Sequence, residues 1–462
     1  MANTNAHGDE ELPSAALPPD GRRRGIAPAD VDGGFHRARR ATFVVLIGAW
    51  LALPWIRVGD HPAVFFDIDH SNLFLFGAAY NAQDAWLLSF VLTAIGFGIV
   101  YVTALAGRVW CGWACPQTVF LDGFYRRIER LVEGPRDRRL RLRKAGWSGE
   151  RLVRHVVAHS MYAAVSIAIA CVILTYFVTA PQAVAMVRRG FVSNPRSLAW
   201  VFIVAVVLYF NFSWFREQLC VVICPYGRLQ SVLLDEDSLV VGFDARRGEP
   251  RGKKGQLGAG DCVDCRRCVV VCPTGIDVRN GVQLECIACT ACIDACDDIM
   301  VRIGRSKGLV RYDSQAGLAG RARRFVRPRL LLYSALLLAG AIVAAKVAGR
   351  RLDIEVTLLR LPGAPYAVEE GVVRNALQIH LVNKRSVPVR YLVDVEQRPE
   401  MSAVVPLREV AVPALGDARA PIVLSVPASS FHGDFQVSAR VTSATDSARS
   451  VVVTAMFLGP SR

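Results

Sequence analysis

The first forty residues contain no apolar run, being rich in Pro, Gly, Ala and Arg, so no cleavable leader is expected there. They read instead as a disordered cytoplasmic tail. The stretch from Val58 to Asp84 lacks Lys and Arg altogether, which argues against its being a cytoplasmic loop of a membrane protein. Cysteine is missing from that stretch, from residues 175–196 and from everything after Cys296. Thiol-based metal chemistry is thereby confined to the other, reducing side. The residues from Arg351 onward lack any evident catalytic set, so binding or assembly is the role expected of them.

Of the 462 residues, 52% are hydrophobic, and the mean hydropathy is +0.31. Both values exceed those of ordinary soluble chains and point to a lipid bilayer. A bilayer core takes about twenty apolar residues per helix. Five stretches fit: Ala41–Ile56, Ala85–Gly107, Ala158–Val187 with its helix stopping before Pro181, Ser197–Phe215 and Leu330–Ala345. The first and last are short, but Arg40 with Arg57, and Arg329 with Lys346, bracket them as interfacial anchors.

The formal net charge of +15 would suit nucleic acid. The basic residues cluster beside apolar segments, however, where membrane topology accounts for them, and no nucleic-acid partner is expected. The run Arg22–Arg24 is read as part of the solvated tail. Arg126, Arg127, Arg130 and the arginines of 136–143 follow the second span, and Arg321, Arg323, Arg324 and Arg327 precede the fifth. This predicts a cytoplasmic N-terminus and a periplasmic C-terminal segment in a bacterial inner membrane. The loop carrying Arg188, Arg189 and Arg196 opposes the rule and is outweighed.

The thirteen cysteines are decided by spacing. Between the fourth and fifth spans stand Cys262-x2-Cys265-x2-Cys268-x3-Cys272-Pro273 and Cys286-x2-Cys289-x2-Cys292-x3-Cys296. This is the two-cluster bacterial ferredoxin pattern, in which three close cysteines hold one cubane and the fourth ligates the other. Two 4Fe–4S clusters are therefore expected. One is assigned to Cys262, Cys265, Cys268 and Cys296, the other to Cys272, Cys286, Cys289 and Cys292. Zinc sites space their paired ligands more widely and fit these runs poorly. Asp297 replaces the Pro that would follow Cys296, which weakens a turn and not the ligand set.

Two further pairs, Cys111-Gly-Trp-Ala-Cys115-Pro116 and Cys220-Val-Val-Ile-Cys224-Pro225, each follow an Arg (Arg108, Arg216) at the cytoplasmic end of a span. Cysteines four apart share one helix face and can present two thiolates to one ion, and the Pro bends or ends the helix. Repetition beside a ferredoxin insert favours redox or metal work over packing, and soft thiolates suit Cu(I), zinc or Fe–S. Cys171, alone in mid-span, reads as packing. His155 and His159, four apart at the mouth of the third span, are read as interfacial hydrogen-bonding residues before copper or haem ligands.

After Arg351, period-two alternation begins, with short strands separated by Pro, Gly and Asp turns, as in an immunoglobulin-like sandwich. The expected fold is a multidomain membrane protein: a five-helix α transmembrane bundle, a two-cluster ferredoxin-like insert and a C-terminal all-β sandwich. The boundaries are 1–40 for the tail, 41–234 for four spans and both Cys-x3-Cys-Pro motifs, 235–329 for the insert with a basic linker, 330–348 for the fifth span and 349–462 for the outer domain.

The sequence resembles the CcoG (FixG/RdxA) family of cytochrome c oxidase accessory proteins from about Arg40 to Pro460. The resemblance rests on Thr103-Ala-Leu-Ala-Gly-Arg-Val-Trp-Cys-Gly-Trp-Ala-Cys-Pro-Gln-Thr, Arg216-Glu-Gln-x-Cys-x3-Cys-Pro-Tyr, Asp244-Ala-Arg-Arg-Gly-Glu-Pro-Arg-Gly, Cys272-Pro-Thr-Gly-Ile-Asp and Phe457-Leu-Gly-Pro. It implies a cupric reductase that helps build cbb3-type oxidase and hands Cu(I) to copper chaperones. Copper at Cys111, Cys115, Cys220 and Cys224, as substrate or transient ligand, and their catalytic role are its expectations. Spacing alone leaves two rivals, a quinol-linked polyferredoxin conduit and a non-catalytic assembly scaffold. It leaves open the electron donor and the oligomeric state, homo-oligomer included.

Overall fold

The computed structural model describes residues 26–59, 61–68, 71–81, 84–146, 148–190, 193–253, 255–324, 326–349, 354–385, 387–444 and 450–460. Most of the expected tail, including Arg22–Arg24, lies outside these residues. The chain divides into two compact units: one runs to Phe65 and resumes at Ser89–Ile342, the other comprises Phe66–Leu88 and the chain from Val343.

Among the described residues four helices are long and apolar enough to cross a membrane: Trp86–Ala106, Gly149–Leu174, Pro195–Phe215 and Pro328–Lys346. Leu92, Phe202, Ile203 and Leu331 on them stay more than half exposed, a surface that only lipid satisfies. The expected first span does not qualify. Its helix, Gly34–Ala52, begins on Arg37, Arg39 and Arg40 and ends before the apolar run can reach bilayer length. The third expected span is also trimmed. Its helix stops at Leu174, and a separate amphipathic helix, Ala180–Arg189, follows behind a Thr179–Gln182 capping box.

The helices Gly149–Leu174 and Pro195–Phe210 pack through Ala170 and Ala205, whose small side chains let the backbones approach. At one end of this pair Tyr125, Tyr162 and Phe212 form a buried aromatic layer, with the Tyr125 and Phe212 rings 4.7 Å apart. The insert is closed by the antiparallel strands Leu239–Phe243 and Val310–Ser314, which pair Phe243 with Val310 and Leu239 with Ser314. Its core joins Val241, Phe243, Ile293, Met300 and Leu309 to the buried Cys262 and Cys268.

The N-terminal segment departs from the expected tail. Ala27 is buried, the Ala29 N–H donates to Val270 O at 3.0 Å, and Arg139 donates to Pro28 O at 2.9 Å. Residues 26–40 thus pack on the insert and its neighbours. An apolar pattern was too short to reveal this, because the contacts are mostly backbone hydrogen bonds.

In the second unit, strands 354–360, 372–383, 402–404 and 417–427 form one sheet with 367–369 beside it. Strands 389–395, 409–412, 435–443 and 450–457 form the other. Alternate residues of Val389–Val395 are buried, and the inner faces meet over Leu377, Ile379, Leu381, Ile422, Leu424 and Val441. In the same unit Lys384 bridges the buried Asp84 at 2.7 Å and Glu355 at 2.9 Å.

Candidate metal centres

Each ferredoxin run wraps its backbone the same way. Asp264 and Arg266 in the first run, and Ala288 and Thr290 in the second, all take positive φ of 51–65°. Left-handed residues on either side of the middle cysteine turn successive N–H groups inward, the backbone form that cradles an anionic group. Short helices follow at once, Arg267–Val270 and Ala291–Arg302, and carry Cys268, Cys292 and Cys296.

The thiols gather in two quartets. Cys268 feels the charges of Cys296 and Cys265, and Cys296 those of Cys265 and Cys262. Cys286 feels Cys272 and Cys289, and Cys292 feels Cys289, Cys286 and Cys272 and, from the other group, Cys268. Cys272, Cys286, Cys289 and Cys292, with Cys268 of the first run, line one small cavity together with Val241, Ile276 and other mostly apolar groups. Soft thiols round a mostly apolar cavity fit a 4Fe–4S cubane. Among the described residues no three Cys, His, Asp or Glu side chains converge tightly enough to hold a single ion. A cubane is larger than one ion and asks for thiolates held apart; Cys111, Cys115, Cys220 and Cys224 likewise do not converge on a single ion as they stand and would have to close on one. Cys265 is exposed while Cys262, Cys268 and Cys289 are buried. Where Pro was missing after Cys296, Asp297 accepts a hydrogen bond from the Gly308 N–H at 2.8 Å and ties the strand that follows.

The two Cys-x3-Cys-Pro motifs fold alike, though not as one continuous helix face. In each, the second cysteine leaves the helix: Cys115 has ψ 127° and Cys224 ψ 108°. Each donates its N–H five residues back, Cys115 to Trp110 O and Cys224 to Leu219 O, both at 2.8 Å. Pro116 and Pro225 then open the next helix, and a residue before Pro avoids the helical region. The four thiols remain within electrostatic reach of one another. Burial pushes the Cys111 thiol up to about 11 and Cys220 up to about 12, with the neighbouring cysteines adding to both shifts. Cys111 Sγ donates to Gln230 Oε1 at 3.2 Å, and Gln230 is fully buried. Cys171 packs against the buried cluster of Ala170, Leu174, Ala183, Val201 and Ala205. The His155 and His159 rings lie 4.1 Å apart, and His159 Nδ1 pairs with the Tyr209 hydroxyl at 2.7 Å.

The residues that join the two cysteine systems lie within the stretch Thr103–Thr118, but nothing in its spacing says what they touch. A Cβ on Gly112 would lie 2.5 Å from Ile287 O and 2.9 Å from Ala288 O, so the chain between Cys111 and Cys115 rests directly on the chain between Cys286 and Cys289. Trp113 Nε1 donates to Ala288 O at 3.3 Å. Arg108 donates to Leu284 O and Gly227 O, and to Cys286 O at 3.3 Å, spanning the second ferredoxin run and the helix after Cys224. Its position before the first pair was the only sequence signal. Arg216, before the second pair, instead pairs with buried Glu129. Arg126 binds Asp122 at 2.7 Å, Glu217, and Pro273 O at 3.0 Å.

Residues 215–315 match a family model described as a 4Fe-4S dicluster domain, and residues 86–140, which include Cys111 and Cys115, one described as a 4Fe-4S binding domain. Residues 347–460 match one described as an Ig-like fold at the C-terminal of FixG. The chain is 37% identical to Protein RdxA of Cereibacter sphaeroides over 381 residues, covering 78% of this chain and 80% of that one. Protein RdxB of the same organism is 34% identical over 419 residues, covering 85% and 87%. Nitrogen fixation protein FixG of Rhizobium meliloti is 38% identical over 302 residues, covering 63% and 57%.

Proposed function

The chain belongs to the FixG/RdxA family of membrane-associated iron–sulfur electron-transfer proteins, and on that premise we propose that it reduces Cu(II) to Cu(I) at Cys111, Cys115, Cys220 and Cys224. The copper then serves cbb3-type oxidase assembly through copper chaperones. The observation that carries the reading is the seating of Gly112 and Trp113 on Ile287 and Ala288, which leaves no gap between the two cysteine systems.

The ferredoxin quartets would hold two cubanes, which when bound supply one-electron transfer. Everything else belongs to the chain. The Cys111 and Cys220 thiols, protonated when empty because they are buried, give up protons to a soft cation. Thiolates favour Cu(I) over Cu(II), so a captured cupric ion is biased toward taking an electron. Gln230 holds the Cys111 sulfur in place, and Arg108 pins the motif to the insert. The arginine-rich segment after the Trp86–Ala106 helix supports an orientation with the N-terminus and insert in the cytoplasm and the Ig-like domain in the periplasm.

Replacing Cys111 and Cys115 by Ser is expected to abolish tight copper binding and cupric reduction by dithionite-reduced protein while leaving the iron–sulfur EPR spectrum unchanged. Wild-type reduction rates in the double variant would show the pairs to be packing residues. A quinol-linked conduit is the second reading, favoured by a polar cavity of about 260 Å³ lined by His155, His159, Tyr162, Glu129 and Arg216. Reduction of the protein by a soluble ubiquinol analogue, lost in His159→Ala, separates it from the first.

A further inference from the structure

Beside the start of the helix Gly34–Ala52 lies a cavity of about 280 Å³. Its wall carries six arginines, Arg39, Arg40, Arg126, Arg127, Arg130 and Arg139, against two carboxylates, Asp30 and Asp122. Asp122 is fully engaged, by Arg39 at 2.5 Å and Arg126 at 2.7 Å. Asp30 pairs with Arg130, and Glu129, behind the wall, accepts from Arg139 at 3.1 Å. Among the described residues the side chains of Arg40 and Arg127, both exposed where they border the cavity, have no ion pair and no hydrogen bond. The Nε of Arg139, a residue only 4% exposed, is buried without a partner as well.

Two unpaired guanidinium groups on one cavity wall repel each other. Arg127 shows the cost: burial, then the charge of Arg40, holds its pKa below the usual arginine value. His36, also on the wall, is held down by burial and then by Arg40 and Arg39. An anion relieves both. Guanidinium forks match phosphate oxygens two at a time, and basic pockets beside membrane helices on the cytoplasmic side take lipid headgroups. The apolar part of the same helix begins at once. Phe43 lines the cavity, and Val44 and Val45 are 65% and 67% exposed one turn beyond Arg40.

We propose that this cavity binds a phosphate group, presented by an anionic phospholipid headgroup or by a soluble phosphate, with Arg40 and Arg127 as the residues that grip it. Val271, Pro273 and Ala291, the sequence neighbours of Cys272 and Cys292, also line the cavity. The site is separate from the four membrane cysteines and does not depend on their handling copper.

The test uses the full-length, cluster-loaded protein in detergent, stripped of lipid. Native mass spectrometry is run after incubation with phosphatidylglycerol or phosphatidylcholine, and calorimetry with inorganic phosphate in a phosphate-free buffer. Arg40→Gln with Arg127→Gln is expected to weaken binding roughly tenfold or more, while Arg188→Gln with Arg189→Gln leaves it unchanged. Neither substituted pair breaks an ion pair seen here, and an unaltered cluster absorption spectrum certifies the fold. If the glutamine variant fails that check, Arg40→Lys with Arg127→Lys keeps the charge, loses the fork, and is expected to bind several-fold more weakly. Retention of phosphatidylglycerol without phosphate binding assigns a lipid, and phosphate binding alone assigns a soluble ligand. Absence of both in the wild type, equal retention of phosphatidylcholine with no phosphate bound, or wild-type binding by the variants overturns the proposal.

Discussion

At the scale of single residues, close approach and charge pairing matter most. Gly112 sits where any side chain would collide with backbone carbonyls that cannot swing aside. Gly112→Ala is therefore expected to lift the motif off the Ile287–Ala288 loop. Cupric reduction by pre-reduced protein should slow several-fold in stopped-flow mixing, with iron content and EPR spectrum unchanged; a wild-type rate would show that the close contact has no bearing on transfer. Asp122 is a second such point. Burial pushes its carboxyl up, but Arg126 and Arg39 outweigh that and hold it below the ordinary 3.8. Because its folded value is depressed, the stability it supplies is complete above that ordinary value and drains away as pH falls through the folded one. Asp122→Asn removes the carboxylate charge that Arg39 pairs with and one of the two that Arg126 pairs with, and is expected to cost about 3 kcal/mol in detergent melts at neutral pH. The deficit should shrink in strong acid, where the wild type loses the same charge.

Among elements, the cysteine runs were legible because ligand spacing is a local property, and residues 215–315 match a 4Fe-4S dicluster domain as that spacing implied. Cys265→Ser is expected to lower iron content and reshape the EPR signal of reduced protein, whereas Cys171→Ser changes neither. An unaltered spectrum in the first would dissolve the ligand assignment. Four apolar helices were legible for the same local reason, and so was the β-alternation that ends in the Ig-like fold. What hydropathy could not show was where an apolar run stops serving lipid. In Gly34–Ala52 the basic first turns are spent on protein contacts, with Arg39 donating to Gly112 O at 2.7 Å. The break that each Pro was expected to make is where the shared helix face of the cysteine pairs ends, since Cys115 and Cys224 both leave the helix there. Arg108 was visible only as a neighbour of a motif. Its partner carbonyl on Leu284 is 176 positions away, a separation no periodicity encodes.

For the molecule as a whole, orientation is the property most open to direct measurement. Ser71 and Ser402 are both exposed. Cysteines placed singly there are expected to react with an impermeant thiol reagent in intact spheroplasts, while the unsubstituted protein stays unlabelled. Labelling of both only after lysis would reverse the assignment. The start of the helix Gly34–Ala52 bears on how such a protein is made. The N–H groups of Phe35 and His36 donate to the two carboxylate oxygens of Asp294, at 3.2 and 2.6 Å. A helix leaves its first N–H groups without partners, and a carboxylate there offsets the dipole as well. That carboxylate lies 258 positions further along the chain, on the helix that also carries Cys292 and Cys296. The ribosome delivers the helix long before its cap. Until the cysteine-bearing helix has formed, the segment around Arg37 lacks that cap and is expected to be open to trypsin. Metal loading in the middle of the chain then becomes a checkpoint for the survival of its beginning, so iron starvation would be read out as clipping near the N-terminus and not near the clusters.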